Sequence, residues 1–248
     1  MAMMTIESIS KNFGGLQVLE GISFSIEDGQ KVAIIGPNGA GKTTLFNVLG
    51  GQLPASGGSI RFMDQDITRL PPNRRLHLGL ARSFQINSLF PKLTLIDNML
   101  LALHAARYPH FRFFRSMTSR RDLYSRAEAL MGSIGLLEMR DSPVSSLSYG
   151  DQRLLEVAFG LASEPRLLIL DEPTAGLSTA EAVDFENKIR QLLGDATLLF
   201  CAHDMDLVFN LAERILVLYY GRLIAEGSPD DIKANPRVKE IYLGDEEG

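Results

Sequence analysis

Cysteine is nearly missing from this sequence. The single one, Cys201, excludes an intrachain disulfide and fits a reducing compartment. Excess positive charge is missing too: 25 lysines and arginines stand against 30 acids, a formal net charge of −5. That balance argues against a nucleic-acid partner bound by phosphate neutralisation. It leaves nucleotide binding open, since a local nest of N–H groups and one lysine suffices for that. No apolar run approaches the roughly 20 residues of a membrane span. The opening residues, Met1 to Glu7, lack the basic and apolar regions of a signal peptide. There is no internal repeat, no low-complexity tract and no sustained heptad pattern. These absences lead to the expectation of an intracellular protein, still able to sit on a membrane through a partner.

What is present is ordinary in bulk and specific in detail. The 248 residues are 45% hydrophobic and 22% charged, enough for one large or two small globular domains. Residues 4–63 read mainly as β: Thr5 to Ser10 and Ile22 to Ile26 alternate, with Phe13 in a loop-like setting before Gly14-Gly15. From about 85 to 165 the pattern turns helical. Helices are expected from Leu93, over Arg120 to Ile134, and from Ser148. Buried strands then return at Arg166 to Asp171 and Ala196 to Cys201, with a helix over Thr179 to Leu193 between them. A hairpin turning at Tyr220-Gly221 follows, then a helix start at Ser228-Pro229-Asp230-Asp231. Apolar strands alternating with helices predict an α/β fold with a mostly parallel sheet covered on both faces.

The chain is organised around Gly36-Pro37-Asn38-Gly39-Ala40-Gly41-Lys42-Thr43-Thr44. An apolar strand, Lys31 to Ile35, precedes it, and a helical run from Leu45 follows. This is the strand–loop–helix context of a phosphate-binding loop. Glycines let successive N–H groups point at phosphate oxygens, and the helix N-terminus adds its positive dipole end. Lys42 can reach the β- and γ-phosphates, and the Thr43 hydroxyl can ligate Mg²⁺.

Asp171 and Glu172 close the apolar run Leu167 to Leu170. Unless they merely solvate a strand end, Asp171 reaches the sheet edge where ligands bind and holds Mg²⁺, while Glu172 orients and polarises an attacking water. His203 ends the other buried strand. On its own it reads equally as a structural histidine or as a γ-phosphate sensor. Ser148, in Leu147-Ser148-Tyr149-Gly150-Asp151-Gln152, is placed to cap a helix whose N-terminus is an anion site, and alone it is only a cap.

In this order, over almost the whole chain, these motifs resemble the nucleotide-binding subunits of ATP-binding cassette (ABC) transporters. The resemblance implies a P-loop NTPase core, an N-terminal antiparallel β subdomain and an inserted helical subdomain. One ABC ATPase domain would span 1–248, with 1–84 and 166–248 as the core and 85–165 as the helical part. It implies ATP and Mg²⁺ as ligands. Phe13 would stack on adenine, Gln85 would contact the metal or water, and His203 would act as the switch histidine. Ser148, Gly150 and Asp151 would belong to the signature that contacts the ATP of a second, facing cassette. Tyr149 and Asp151 depart from the usual Ser-Gly-Gly-Gln pattern, and Ser178 stands where many members carry aspartate.

The resemblance is greatest to cassettes of branched-chain amino-acid importers, through Gly79 to Gln85, Tyr149, His203-Asp204-Met205 and the ending Val238 to Gly244. It implies transmembrane permease subunits, a periplasmic or extracellular solute-binding protein acting indirectly, and a place on the inner face of the cell membrane. Urea and lipopolysaccharide-export cassettes are similar. A soluble ABC ATPase of DNA repair, the ribosome or iron–sulfur assembly is the alternative class, and a nucleotide-binding module without catalysis is another. The stretch from Ala105 to Arg121, rich in arginine and aromatics and free of acids, reads either as a solvated helical face or as a surface for the membrane partner.

Overall fold

Two long strands open the chain. The structure, a computed structural model, describes residues 2–82, 89–107 and 121–244. Strand β1 (Ala2–Phe13) pairs antiparallel with β2 (Leu16–Glu27) around Gly14-Gly15. After β3 (Lys31–Ile35) and helix α1 (Lys42–Gly50), strand β4 (Gly57–Phe62) joins β1, and β5 (Gln65–Asp66) closes an antiparallel sheet of order β2-β1-β4-β5. Phe13 therefore does not sit in a loop. It is the last residue of β1, paired with Leu16, because the hairpin ladder runs up to the turn itself.

The larger sheet adds β6 (Leu80–Arg82), β7 (Leu167–Asp171), β8 (Thr197–Cys201), β9 (Arg214–Tyr219) and β10 (Arg222–Gly227), in the order β10-β9-β3-β8-β7-β6. All neighbours are parallel except the β9–β10 hairpin. Its inner strands are apolar on both faces because both faces are covered. On one face Val32, Ile34, Ile169, Leu199 and Leu216 pack with α1 and the antiparallel sheet. On the other, Ala33, Ile35, Leu168, Leu170 and Phe200 pack with α3 (Leu95–Arg107), α4 (Arg121–Ser133), α5 (Tyr149–Ala162) and α6 (Thr179–Leu193). The period-2 alternation puts Asp171 and Cys201 on the α1 face, in line with Ile169 and Leu199.

Helix starts follow local chemistry. Ser178 caps α6 in a reciprocal box with Glu181, and Ser228 does the same with Asp231 for the helix Pro229–Ala234. The sheet strand β6 and the short helix α2 (Pro72–His77), counted before it, are absent from the sequence reading. Three residues are too few to carry a periodicity. Helix α2 carries Arg75, only 1% exposed. Its guanidinium donates to the carbonyls of Val48 (2.9 Å) and Leu49 (2.6 Å) in the last turn of α1, and to those of Leu70 and Thr68. A cation there complements the negative end of the α1 dipole. Burial pulls its pKa down to about 10, still far above neutrality.

Candidate functional site

The loop between β3 and α1 passes beneath β9. A Cβ on Gly36 would stand 2.1 Å from the Leu218 carbonyl oxygen, so only glycine fits. Gly41, at φ +104°, is the cap of α1; it offers no side-chain acceptor, and no acid stands in the first turn of that helix. The first N–H groups of α1 are thus left for an external anion. Lys42 is nearly buried, its Nζ donating to the carbonyls of Gly36 (2.5 Å) and Pro37 (3.1 Å). Burial lowers its pKa, opposed by the charges of Glu172 and Asp171. A cleft of about 250 Å³ opens here, lined by Val18, Glu172 and the loop from Asn38 to Thr44. Pro37 lines a smaller neighbouring hollow with Tyr219 and Tyr220.

Asp171 ends β7 with its carboxylate fully covered. It pairs across the ladder with Cys201, whose thiol donates to Oδ1 at 3.0 Å. Arg82 donates to Oδ2 at 2.9 Å. Glu172 follows in the left-handed region, at φ +49°, with its N–H bonded to the Cys201 carbonyl. A non-glycine residue held there stores strain of about 1–3 kcal/mol. This geometry turns the Glu172 carboxylate into the cleft, where Oε1 lies 3.0 Å from His203 Nε2. The two residues read separately from sequence thus form one hydrogen-bonded pair.

The signature residues lie on α5. Ser148 caps it by accepting from the Asp151 N–H, and its hydroxyl donates to Asp151 Oδ2 at 2.8 Å. Lys188 Nζ lies 3.8 Å from Asp151 Oδ1. The unusual Tyr149 has a packing role: its ring lies 3.0 Å from where a Cβ on Gly176 would stand, and its hydroxyl accepts from Arg153. Gly150 sits against Glu181. Ser178 caps α6, so an aspartate's charge is not needed at that helix start.

Phe13 is 47% exposed at the hairpin tip and does not line the cleft. Lys11 Nζ stands 5.1 Å from the centre of its ring and donates to the Pro54 carbonyl. Gln85 lies outside the described residues, as do residues 108–120 of the basic–aromatic stretch. Sequence reasoning missed Val18, Arg82 and the contact of Cys201 with Asp171. Val18 and Cys201 sit in no motif, and Arg82 lies in the Gly79 to Gln85 stretch with no role assigned to it, although alternation from Leu167 pointed to the face Asp171 shares.

A profile of the ABC transporter family matches residues 19–175, which carry the phosphate loop, the signature and Asp171-Glu172. The chain belongs to the ABC transporter ATP-binding family. It is an ATPase. A second profile, of branched-chain amino acid ATP-binding cassette transporters, matches residues 222–248 of this ABC ATPase. The chain is 36% identical to the high-affinity branched-chain amino acid transport ATP-binding protein LivG of Escherichia coli, over 98% of each chain. It is 35% identical to BraF of Pseudomonas aeruginosa, described in the same words, again over 98% of each. Among solved structures it is similar to the ADP conformation of MJ1267, an ATP-binding cassette of an ABC transporter. That similarity has a TM-score of 0.87 and 30% identity, over 98% of this chain and 99% of that one.

The site fits the ligands of an ABC ATPase. The Gly36 passage, the open α1 N-terminus and the buried ammonium suit a triphosphate. Among the described residues, no three His, Cys, Asp or Glu side chains gather as a metal site. The Thr43 hydroxyl and the Asp171 carboxylate are hard oxygen donors of the kind that would hold a Mg²⁺.

Proposed function

We propose that this ABC ATPase powers import of branched-chain or related amino acids, as one of two facing cassettes docked on transmembrane permease subunits at the inner face of the cell membrane. The hydrolytic part is carried by Glu172, on the wall of the phosphate cleft, and its hydrogen-bonded partner His203. Lys42 and the α1 N–H groups bind the phosphates. Glu172 accepts a proton of the attacking water and aligns it, and His203 holds the Glu172 carboxylate in place. Thr43, Asp171 and Gln85 would hold Mg²⁺, which neutralises charge developing on the phosphate oxygens. Phe13 would stack on adenine, and Ser148 and Gly150 would complete the site of the facing chain. The residues 1–84 and 166–248 would act as the nucleotide-binding core and 85–165 as the helical part.

The import assignment rests on the 222–248 match and on LivG and BraF. No helix among the described residues is long and apolar enough to cross a membrane, so permeation falls to partner chains. Two measurements test the proposal. Purified Glu172→Gln should bind ATP, lose turnover and accumulate as an ATP-dependent dimer in size-exclusion chromatography. A strain lacking this gene should lose uptake of labelled leucine, isoleucine or valine and regain it with the wild-type chain but not with Glu172→Gln. Unchanged uptake of all three would remove the amino-acid assignment while leaving the ATPase intact.

A further inference from the structure

We propose that Arg82 is a positioning residue for the metal end of the site, clamping the strand that carries Asp171 to the helix that carries Thr43. The proposal rests on the ATP-hydrolysis reading above. The two oxygen donors belong to different elements, β7 and α1, and nothing in the phosphate-loop motif fixes the distance between them. Arg82 does. One arm of its guanidinium donates to Asp171 Oδ2 at 2.9 Å, and the other to Asn47 Oδ1 at 2.7 Å and Gln52 Oε1 at 3.0 Å. Asn47 lies four residues after Thr43, so both are on one face of α1. Arg82 therefore grips α1 one turn below the Thr43 hydroxyl.

The clamp is built to hold. The Asp171 and Arg82 side chains are 0% and 8% exposed, so water competes little for either. With the Cys201 thiol on Oδ1 and Arg82 on Oδ2, donors from two neighbouring strands fix the plane of the carboxylate. Each oxygen keeps lone-pair capacity for one further partner. A planar fork is needed for this geometry, and a lysine would supply the charge without reaching Asp171 and Asn47 at once.

The test uses Mn²⁺ as the probe, titrated by electron paramagnetic resonance into the full chain saturated with a non-hydrolysable ATP analogue. The analogue's affinity without metal is measured in parallel. Arg82→Met should weaken Mn²⁺ binding by about 10- to 100-fold, the scale seen when the groups orienting a metal ligand are lost, with metal-free affinity within about twofold. Arg82→Lys should recover only part of the loss. Asn47→Ala, which leaves the Asp171 ion pair intact, should weaken Mn²⁺ binding measurably but less than Arg82→Met does, and it carries the test if Arg82→Met does not fold. Unchanged or tighter Mn²⁺ binding in a folded Arg82→Met, or in Asn47→Ala, overturns the proposal alone. Failure of the wild-type chain to bind Mn²⁺ with the analogue overturns the hydrolysis reading and this proposal with it.

Discussion

The N-termini of α1 and α5 have the same backbone chemistry and opposite dressings. Helix α1 begins at a glycine with no side-chain cap and no acid in its first turn. Helix α5 begins at Ser148, whose side chain satisfies an N–H, and carries Asp151 at the third position. Each is the positive end of a helix dipole, so each attracts an anion. The first leaves that attraction to something outside the chain. The second meets it from within, with Asp151 on the helix and Glu181 beside Gly150. Two helix starts that each sit in a motif therefore meet an anion on different terms: α1 with its charge uncompensated, α5 with part of it already supplied by the chain.

The comparison can be broken most severely at Lys42. Lys42→Met removes the cation that crowns the α1 terminus, and phosphate release should fall by about two to three orders of magnitude, the range for losing one charge-stabilising donor. Thr44→Asp would give α1 the acid that α5 carries at the same helical position. Two like charges a few ångströms apart near a surface repel by about 4 kcal/mol, so ATP affinity by calorimetry should fall by about 100- to 1000-fold. The melting temperature should hardly move, since an acid in a first turn is worth only about 0.3–1 kcal/mol, and in the stabilising direction. A large drop in melting temperature instead would mean that α1 itself had been disrupted.

The opposite end of α1 gives the next effect. Arg75→Met leaves the Val48 and Leu49 carbonyls without their buried donor. Urea unfolding should lose about 2–4 kcal/mol, with the slope unchanged. The smallest effect sharpens the contrast. Asp151→Asn removes the charge α5 supplies to itself, so stability should fall by about 0.3–1 kcal/mol while ATP affinity of the single chain stays constant. Weaker ATP binding in that variant would place α5 in the chain's own site.

Much of this was legible before any coordinates. The loop from Gly36 to Thr44, the acids after Leu170 and the caps at Ser148 and Ser228 are local signals, fixed by residues within a few positions of each other. The rest depends on register and contact. Nothing near Arg82 in the sequence says that its partner is Asp171, because that pair forms only when β6 lies beside β7. Nothing in the residues around Arg75 says that the curl of the chain around the end of α1 buries it. Phe13 reads as loop because two glycines follow it, while pairing with Leu16 keeps it in the strand. The pairing of Glu172 with His203 likewise needs two parallel strands to end side by side.

Cys201 has a practical consequence for watching this machine move. It is the only thiol in the sequence, it is buried, and its hydrogen is engaged by Asp171. Burial pushes its pKa well above that of an ordinary thiol, so almost no thiolate exists at neutral pH to react with a maleimide. The wild-type chain therefore serves as its own label-silent background. A cysteine added at Leu16 or Val183, both more than half exposed, would take a fluorophore or spin label selectively while Cys201 stays in place. A label at either position could then be followed through a full turnover with the hydrogen bonds around Asp171 undisturbed.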